Sequence, residues 1–407
     1  MTRKIFSMLD VDVKSTALNV ALVAGALVWY FLFFTFLKHM CDSLNFQRQS
    51  ILEIFGANFF SLASSAIVSA IIVVRIRDGI RLLYYWLILL PFISLFLMYN
   101  FSGVSDVLVI SIVFGLFFGA GMPCIMGYYA STTSVLNRSR VGGIVFLVVS
   151  LCFAIIGSLD VTRSTTVVGI LLAIPLIVLL FLRLLKLKDI VIQRKVETSF
   201  TVILTSRSFV LYFLPWCMFS LVNYMIIPVL SQIFHSGEQF VHSSAALEYV
   251  ISAAFAFVGG FLADIFGRKR LAMIGFIMLG FGYAVLGLAQ NIVGWCFYTI
   301  IDGIAWGIFY SIFFFTIWGD LAEGRSSEKY YAVGVMPYLF SNFMRLLLEP
   351  YVSLIPTTAL FSFASVFLFA AVLPLVYAPE TLPESVIRAR QLKSYIEKAK
   401  KFKEKYS

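Results

Sequence analysis

Long runs of apolar residues, separated by short polar segments, occupy most of this sequence. A helix needs about 20 apolar residues to cross the roughly 30 Å hydrocarbon core of a bilayer. Because 61% of the 407 residues are hydrophobic and only 13% are charged, the chain has enough apolar sequence for about twelve such helices. The polar remainder is too short for a separate catalytic or nucleotide-binding domain. We therefore expect an all-α membrane protein without catalytic residues, and a soluble enzyme is excluded.

The apolar runs are predicted to be helices and not strands, because each segment must satisfy its own backbone hydrogen bonds in lipid. They form two sets of six around a longer basic segment: 16–38, 53–74, 82–99, 105–132, 141–159 and 165–185, then 208–234, 245–265, 271–290, 292–319, 331–353 and 357–378. This spacing predicts twelve transmembrane helices in two pseudo-symmetric six-helix bundles. We place their boundaries as follows: first bundle 1–186, cytoplasmic linker 187–207, second bundle 208–380, and a basic amphipathic cytoplasmic tail 381–407.

Lysine and arginine are distributed unevenly between the two sides of the membrane. The chain carries 31 of them against 21 acidic residues, a net charge of +10. If the N-terminus is cytoplasmic, 27 lie in segments that face the cytoplasm, as the positive-inside rule requires. The others are Lys38, Arg48 and Arg163 outside and Arg345 within a span. We therefore expect a multi-pass protein of the cell membrane with both termini cytoplasmic and no nucleic-acid partner.

The sequence lacks the patterns expected for a metal, nucleotide or disulfide site. Its five cysteines have no paired spacing. No glycine-rich loop ending in Lys-Ser or Lys-Thr is present, so ATP does not power the protein directly. We expect no cofactor and no bound metal.

The loop between the eighth and ninth runs, GGFLADIFGRKR at 259–270, has a specific pattern. Gly267 permits the sharp turn that joins two closely spaced helices. Asp264 can accept hydrogen bonds from a helix start or an arginine, while Arg268 and Arg270 are expected at the anionic inner surface. The alternative is that these residues mark only a tight inner loop, since any such loop is basic and contains glycine. The aspartate at this spacing is an additional feature.

This loop resembles the short cytoplasmic loop signature of the major facilitator superfamily, with Ile265 replacing the basic residue after the aspartate. Proline, glutamate and threonine at 379–381 close the last span much as sugar porters and other members of this superfamily close theirs. The glycine-rich fourth span is similar to its counterpart in the superfamily but lacks the arginine typical of proton antiporters. No single subfamily matches closely. The resemblance implies two bundles that alternate access around a central site, with Asp264, Gly267, Arg268 and Arg270 in a gating loop.

The equivalent loop of the first half, RIRDGIR at 75–81, keeps the length and the charge but lacks the aspartate in register. We include Arg77 among the gating residues. One hypothesis is that Arg75 or Arg77 pairs with Glu323 or Glu328, before the eleventh span.

Ionisable residues inside spans are functional candidates, because burying them in lipid is costly. Arg345 lies in the eleventh run, with Asn342 one turn before it and Glu349 one turn after it. We assign Arg345 and Asn342 to an anionic or hydroxyl-bearing part of a solute and Asp302, in the tenth run, to proton coupling or contact with a cation. The alternative is a structural pair, either Asp302 with Arg345 or Arg345 with Glu349. Glu248 is expected near an outer span end, where it needs no function.

Aromatic and amide side chains at a similar depth are candidates for binding a small molecule. The resemblance places spans 1, 4, 7 and 10 around the cavity. The alternative for each aromatic is simple packing. These candidates are Trp29, Tyr128, Asn223, Tyr224, Trp306 and Tyr310.

These patterns predict a secondary active transporter that moves a small organic solute by alternating access, coupled to protons as a symporter, and is not an enzyme. The alternatives are a facilitative uniporter, a channel, or a receptor or scaffold with the same fold. We expect a monomer. The sequence does not specify the solute or the direction of transport.

Overall fold

The computed structural model describes residues 11–76, 79–99, 101–157, 164–185, 196–233, 238–352, 354–386, 388 and 396. At 164, 223, 226–233, 238–245 and 342 it describes the backbone only. Within these residues the chain is helical almost throughout, and twelve helices correspond to the twelve predicted runs. The first six are α1 Val13–Ser43, α2 Arg48–Arg75, α3 Gly79–Leu95, α4 Val104–Thr132, α5 Arg138–Gly157 and α6 Ser164–Leu185.

The second six helices follow a short helix, Phe200–Thr205. Among the described residues ten helices are long and apolar enough to cross a bilayer, and α7 adds a shorter apolar stretch, Arg207–Val222. The all-α, twelve-helix membrane fold is therefore confirmed. The helices are α7 Arg207–Ile233, α8 Glu238–Phe266, α9 Arg268–Leu288, α10 Ile292–Leu321, α11 in two pieces, Ser327–Gly334 and Met336–Val352, and α12 Thr357–Tyr377.

Polar residues end one helix and start the next. The Asp12 side chain accepts from the Ser15 backbone N–H at the start of α1, and the Asn291 side chain caps α10 by accepting from Gly294 at 3.0 Å. Such caps satisfy backbone N–H groups that have no partner within the helix. They separate neighbouring spans in a chain whose apolar runs nearly merge.

α10 and α11 depart from the regular geometry that the runs suggested, as does α1, which contains a π-helical turn at Val20–Ala24. α10 contains a π-helical turn at Tyr310–Phe314, followed by an irregular step to Ile317. α11 begins at Ser327, earlier than predicted, and is interrupted at Val335. π turns concentrate at functional positions, and the one in α10 includes Tyr310, a predicted site residue.

The two halves, α1–α6 and α7–α12, meet along related seams. α5 packs closely against α8, where Gly143 faces Ala256 and Gly260. α2 packs against α11, with the ring centroids of Phe59 and Phe340 4.4 Å apart. Because α2 and α8 occupy equivalent positions in the two halves, as do α5 and α11, an approximate two-fold relation exchanges the seams.

The bundle has two ends, a basic face and a far face. The basic face is the end that carries the α2–α3, α4–α5, α8–α9 and α10–α11 connections. The far face is the opposite end, where α1 ends and α2 begins.

Candidate functional site

Charged side chains join the two halves at the basic face. Arg138, at the start of α5, places Nη1 2.5 Å from Asp320 Oδ1 on α10. Its Nε donates to Thr133 Oγ1 at 3.1 Å. The side chains of Arg138 and Asp320 are 7% and 0% exposed. This ion pair therefore links the first half to the second in a dry environment.

Asp264, near the end of α8, binds two further arginines. Arg140 Nε lies 3.0 Å from Asp264 Oδ2, and Arg268 Nη2 lies 3.1 Å from Oδ1. Arg268 Nε also lies 3.3 Å from Asp320 Oδ2, so Arg268 connects the two aspartates. We call Arg138, Arg140, Asp264, Arg268 and Asp320 the ion cluster.

Arg268 does not lie at the inner surface, where it was expected. Its side chain is fully buried, and Nη2 donates to the Val135 carbonyl of the first half. Burial is tolerated because Asp264 and Asp320 compensate the charge, whereas a buried ion without a partner is very costly. Arg270 is exposed.

Gly267 makes the turn between α8 and α9 in a left-handed conformation, with φ 98°. The Glu380 carboxylate lies directly against it and accepts from the backbone N–H groups of Arg268 at 3.0 Å and Lys269 at 3.1 Å. A Cβ at position 267 would lie 2.9 Å from Glu380 Cδ. Glycine thus allows an anion to cap the positive end of α9.

The hypothesis that involves Arg75 and Arg77 stays a prediction. Arg77 lies outside the described residues. Glu323 is exposed, while Glu328 is buried and packs against Gly127 of α4.

The chain segment before α7 is bound to the α10–α11 connection. The Val196 N–H donates to the Gly324 carbonyl at 3.1 Å. The buried Lys329 ammonium lies 3.0 Å from Glu197 Oε1 and 3.1 Å from the Thr198 carbonyl. The hydrogen bond and charge of Lys329 hold the pKa of Glu197 below its usual value. We call Val196–Thr198 with Lys329 the linker clasp.

Aromatic side chains meet between the halves, away from the ion cluster. The Tyr310 ring stacks on Phe146 of α5 with centroids 3.8 Å apart and lies 5.2 Å from Trp306. The Tyr338 ring on α11 lies 5.1 Å from that of Tyr310 and 6.2 Å from that of Tyr224, between ring centroids. The structure therefore brings Tyr224, Trp306 and Tyr310 together and adds Tyr338, which the sequence analysis did not single out.

Asp302 lies beside a second carboxyl group. It is 3% exposed, and its neighbours are the carboxyl of Glu248 on α8, the hydroxyl of Tyr298 and the indole of Trp306. The expected position of Glu248 at an outer span end stays a prediction, but its place beside Asp302 was not part of that expectation. Because α8 begins at Glu238 and not near residue 245, Glu248 lies further inside the helix. We call Asp302 and Glu248 the acid pair.

Arg345 lines a cavity of about 270 Å³ at the far face, between α1, α2 and α11. Glu349, on the next turn of α11, also lines it and acts electrostatically on Arg345. Arg345 Nε is buried and has no hydrogen-bond partner among the described groups. Of the two structural pairs considered, the structure favours Arg345 with Glu349, because these two line the same cavity while Asp302 lies beside Glu248.

The remaining predicted residues lie elsewhere or are described only in part. Trp29 is fully buried in the first half, stacks on Phe114 with centroids 5.0 Å apart, and donates to Ser94 Oγ at 3.1 Å. Tyr128 is buried towards the basic end of α4. For Asn223 in α7 and Asn342 in α11 only the backbone is described.

Sequence reasoning missed Arg138, Asp320 and Glu380 as a group. The sequence did contain an indication, because acidic residues at span ends on the strongly basic side of the membrane are expected to have cationic partners nearby. The identity of those partners depends on which helices meet, and that is not a local property of the sequence.

Chemically, the arrangement provides a charged closure at one face, an aromatic and hydroxyl-rich surface between the halves, a buried acid pair and an arginine in a cavity at the other face. These are groups for binding and conformational change.

Comparison with known proteins agrees with this geometry. The family model described as Major Facilitator Superfamily matches residues 208–404. The human organic anion transporter MFSD10 (TETRAN) is similar in structure, with TM-score 0.62 and 12% identity over 89% of this chain and 97% of that one. The proton:xylose symporter XylE, bound to 6-bromo-6-deoxy-D-glucose, gives TM-score 0.66 and 13% identity over 90% and 96%.

At these identities the two solved structures establish a shared fold. No curated protein sequence matches this chain. The second half of the chain thus matches the Major Facilitator Superfamily model, and the chain as a whole is a multi-pass membrane protein that shares the twelve-helix fold of these two transporters.

Proposed function

We propose that the chain is a secondary active transporter that moves a small organic solute by alternating access and couples this movement to protons. We place it in the cell membrane with both termini cytoplasmic. The observation that carries the proposal is the difference between the faces. Buried ion pairs join the halves at the basic face, while a cavity of about 270 Å³ lies between them towards the far face.

The ion cluster suits a gate that closes and opens as a unit. Arg138 and Arg140 of the first half are paired with Asp320 and Asp264 only while the halves are in contact, and water replaces these partners once the halves separate. The closed and the fully open arrangements are therefore both tolerable, whereas a partly open one would leave buried charges without partners. We propose residues 1–186 and 208–380 as the moving bundles and 187–207 as the linker.

Tyr224, Trp306, Tyr310 and Tyr338 form an aromatic cluster between the halves. This cluster and Arg345 provide the surfaces that a solute would contact. Rings supply apolar area, and the hydroxyls of Tyr224, Tyr310 and Tyr338 supply hydrogen bonds. The structural neighbours include an organic anion transporter and a proton:xylose symporter. Both solute classes are compatible with this combination of groups.

The acid pair supports proton coupling. Two adjacent carboxyl groups enclosed by aromatic rings repel each other strongly when both are ionised, so one proton stabilises the pair. Trp306 is a neighbour of Asp302 and also lies 5.2 Å from Tyr310 and 6.0 Å from Tyr338, between ring centroids. Occupation of the cluster by a solute can therefore change the surroundings of the proton site.

Transport assays in proteoliposomes test the proposal. We expect uptake of labelled organic acids or sugars that increases with an inward proton gradient. Asp302→Asn should lose the stimulation by the gradient but keep solute exchange. Glu53→Gln, which changes an exposed carboxylate on α2, is the control and should keep both. Exchange without any effect of the gradient would indicate a uniporter, and no exchange across a broad panel would indicate a receptor or scaffold.

A further inference from the structure

The cavity at the far face has an unusual content of charge. Its lining includes three cationic side chains, Lys38, Arg48 and Arg345, and two carboxylates, Asp42 and Glu349. Arg48 is partly committed to structure, because its Nη2 donates to the Leu346 carbonyl at 2.6 Å and ties α2 to α11. The cavity therefore keeps a surplus of positive charge near an arginine that a ligand could reach.

The rest of the wall is apolar. Phe34 of α1, Ile51 and Phe55 of α2, and Leu346 of α11 contribute to it. A volume of about 270 Å³ is close to the lower end of the range for small-molecule sites, roughly 300 Å³. The cavity suits a small molecule with one charged end and a hydrocarbon or aromatic body.

Arg345 has unused capacity to donate hydrogen bonds. A guanidinium group carries five N–H donors, and the Nε of Arg345 has no partner among the described groups although it is buried. Glu349 supplies opposite charge from the next turn of the same helix. A largely buried arginine needs such compensation, and a carboxylate entering the cavity would offer it in a bidentate geometry.

We infer that this cavity binds an organic anion, a small carboxylate with an apolar body, and that Glu349 compensates Arg345 until the anion replaces it. The inference deepens the proposed function by naming the class of solute. An organic cation would meet a net positive charge, because the lining has three cationic side chains against two carboxylates. A neutral polyol would leave the apolar wall poorly matched and would not compensate Arg345.

Glu349 then acts as an internal competitor. Removing its charge leaves Arg345 in need of an anion, so Glu349→Gln should bind a carboxylate more tightly. If the pair were only a structural bridge, the same change would weaken the protein without improving binding. The direction of this effect separates the two roles.

Equilibrium binding to the purified full-length protein provides the test, with tryptophan fluorescence as the readout. The probes are benzoate, benzamide and benzylamine, which share a ring and differ in charge. We expect benzoate to bind more tightly than the other two. Arg345→Ala should weaken benzoate binding about tenfold or more, the loss expected for a charged hydrogen bond, and Glu349→Gln should strengthen it several-fold. Arg388→Ala, an exposed position, should change nothing.

Equal binding of benzoate and benzamide, or weaker benzoate binding in Glu349→Gln, would overturn the inference. If Arg345→Ala does not fold, the Glu349→Gln comparison decides the question alone. Anion binding that depends on Arg345 without solute exchange would support the site and reject transport. Exchange of solutes that does not depend on Arg345 would support transport and reject the site.

Discussion

At the scale of single residues, each buried charge of the ion cluster requires a partner of opposite charge. Arg268 contacts both Asp264 and Asp320, and Thr381 also donates to Asp320 at 3.0 Å. Net stabilisation from such pairs is small, because desolvation offsets most of the attraction. Their importance lies in the penalty for losing one partner.

Replacing Asp320 by Asn should destabilise the protein markedly. The variant leaves Arg138 without its charged partner and removes one of the two aspartates beside Arg268, at a cost of about 3–5 kcal/mol for a broken buried pair. Thermal unfolding in detergent checks this. Glu384→Gln is the control, because its pair with Arg388 is highly exposed and worth about 1 kcal/mol or less. Equal effects of the two changes would contradict the prediction.

At the scale of helices, the α5–α8 seam depends on the absence of side chains. A Cβ on Gly143 would lie 3.1 Å from the Ala256 carbonyl carbon and 3.3 Å from Gly260 Cα. These are backbone atoms that cannot rotate away. The two helices, and with them the two halves, can approach this closely only because both facing positions are glycine.

Gly143→Ala should therefore separate α5 from α8 and destabilise the protein by about 1–3 kcal/mol, as overpacking does. Gly169→Ala on α6 is the matched control, because a Cβ there meets nothing within 4 Å and alanine favours a helix by up to about 1 kcal/mol. Thermal unfolding of the two variants should shift in opposite directions. A tolerated Gly143→Ala would show that the seam is not tightly packed.

The linker clasp predicts a specific dependence on pH. The pKa of Glu197 is lowered by Lys329, with a smaller contribution from Arg75. The ion pair therefore contributes fully above the ordinary glutamate pKa of about 4.3, and its contribution is lost as the pH falls through the lowered value. Exchange protection of the Val196 amide, corrected for intrinsic rates, should stay constant from neutral pH to about 5 and fall in stronger acid.

Glu197→Gln should reduce that protection at neutral pH and abolish its dependence on pH. Protection in this variant that still falls in acid would show that another group controls the clasp.

At the scale of the whole molecule, the proposed alternating access leads us to expect that the ion cluster biases the protein towards closure at the basic face. A change that weakens it should shift the population towards the open arrangement without altering any group in the far-face cavity. Ser139 is fully buried at the α5–α8 seam and reports on this closure.

A cysteine at position 139, in a background without the native cysteines, should react slowly with a water-soluble thiol reagent in nanodiscs. Adding Asp264→Asn and Asp320→Asn should accelerate its labelling. Ser94→Cys is the control, because Ser94 is fully buried inside the first half beside Trp29 and should stay protected in both backgrounds. Equal acceleration at both positions would indicate general unfolding and contradict gated opening.

Much of the fold could be predicted from consecutive residues. The length of each apolar run determined where helices form, because a helix in lipid satisfies its backbone hydrogen bonds within one segment. Asp264 and Gly267 were identifiable from one loop, since a turn and its flanking charges are local. Buried aromatic and ionisable residues in α10 and α11 were identifiable as candidates for the same reason.

Only the tertiary structure decided which of those residues meet. Arg138 and Asp320 are 182 positions apart, Glu248 lies next to Asp302 through the packing of α8 on α10, and Trp29 packs in the core of the first half. In lipid almost every face of a span is apolar, so composition does not show which face contacts another helix. Small residues and matched buried charges on facing helices make that selection, and they act only once the helices have packed together.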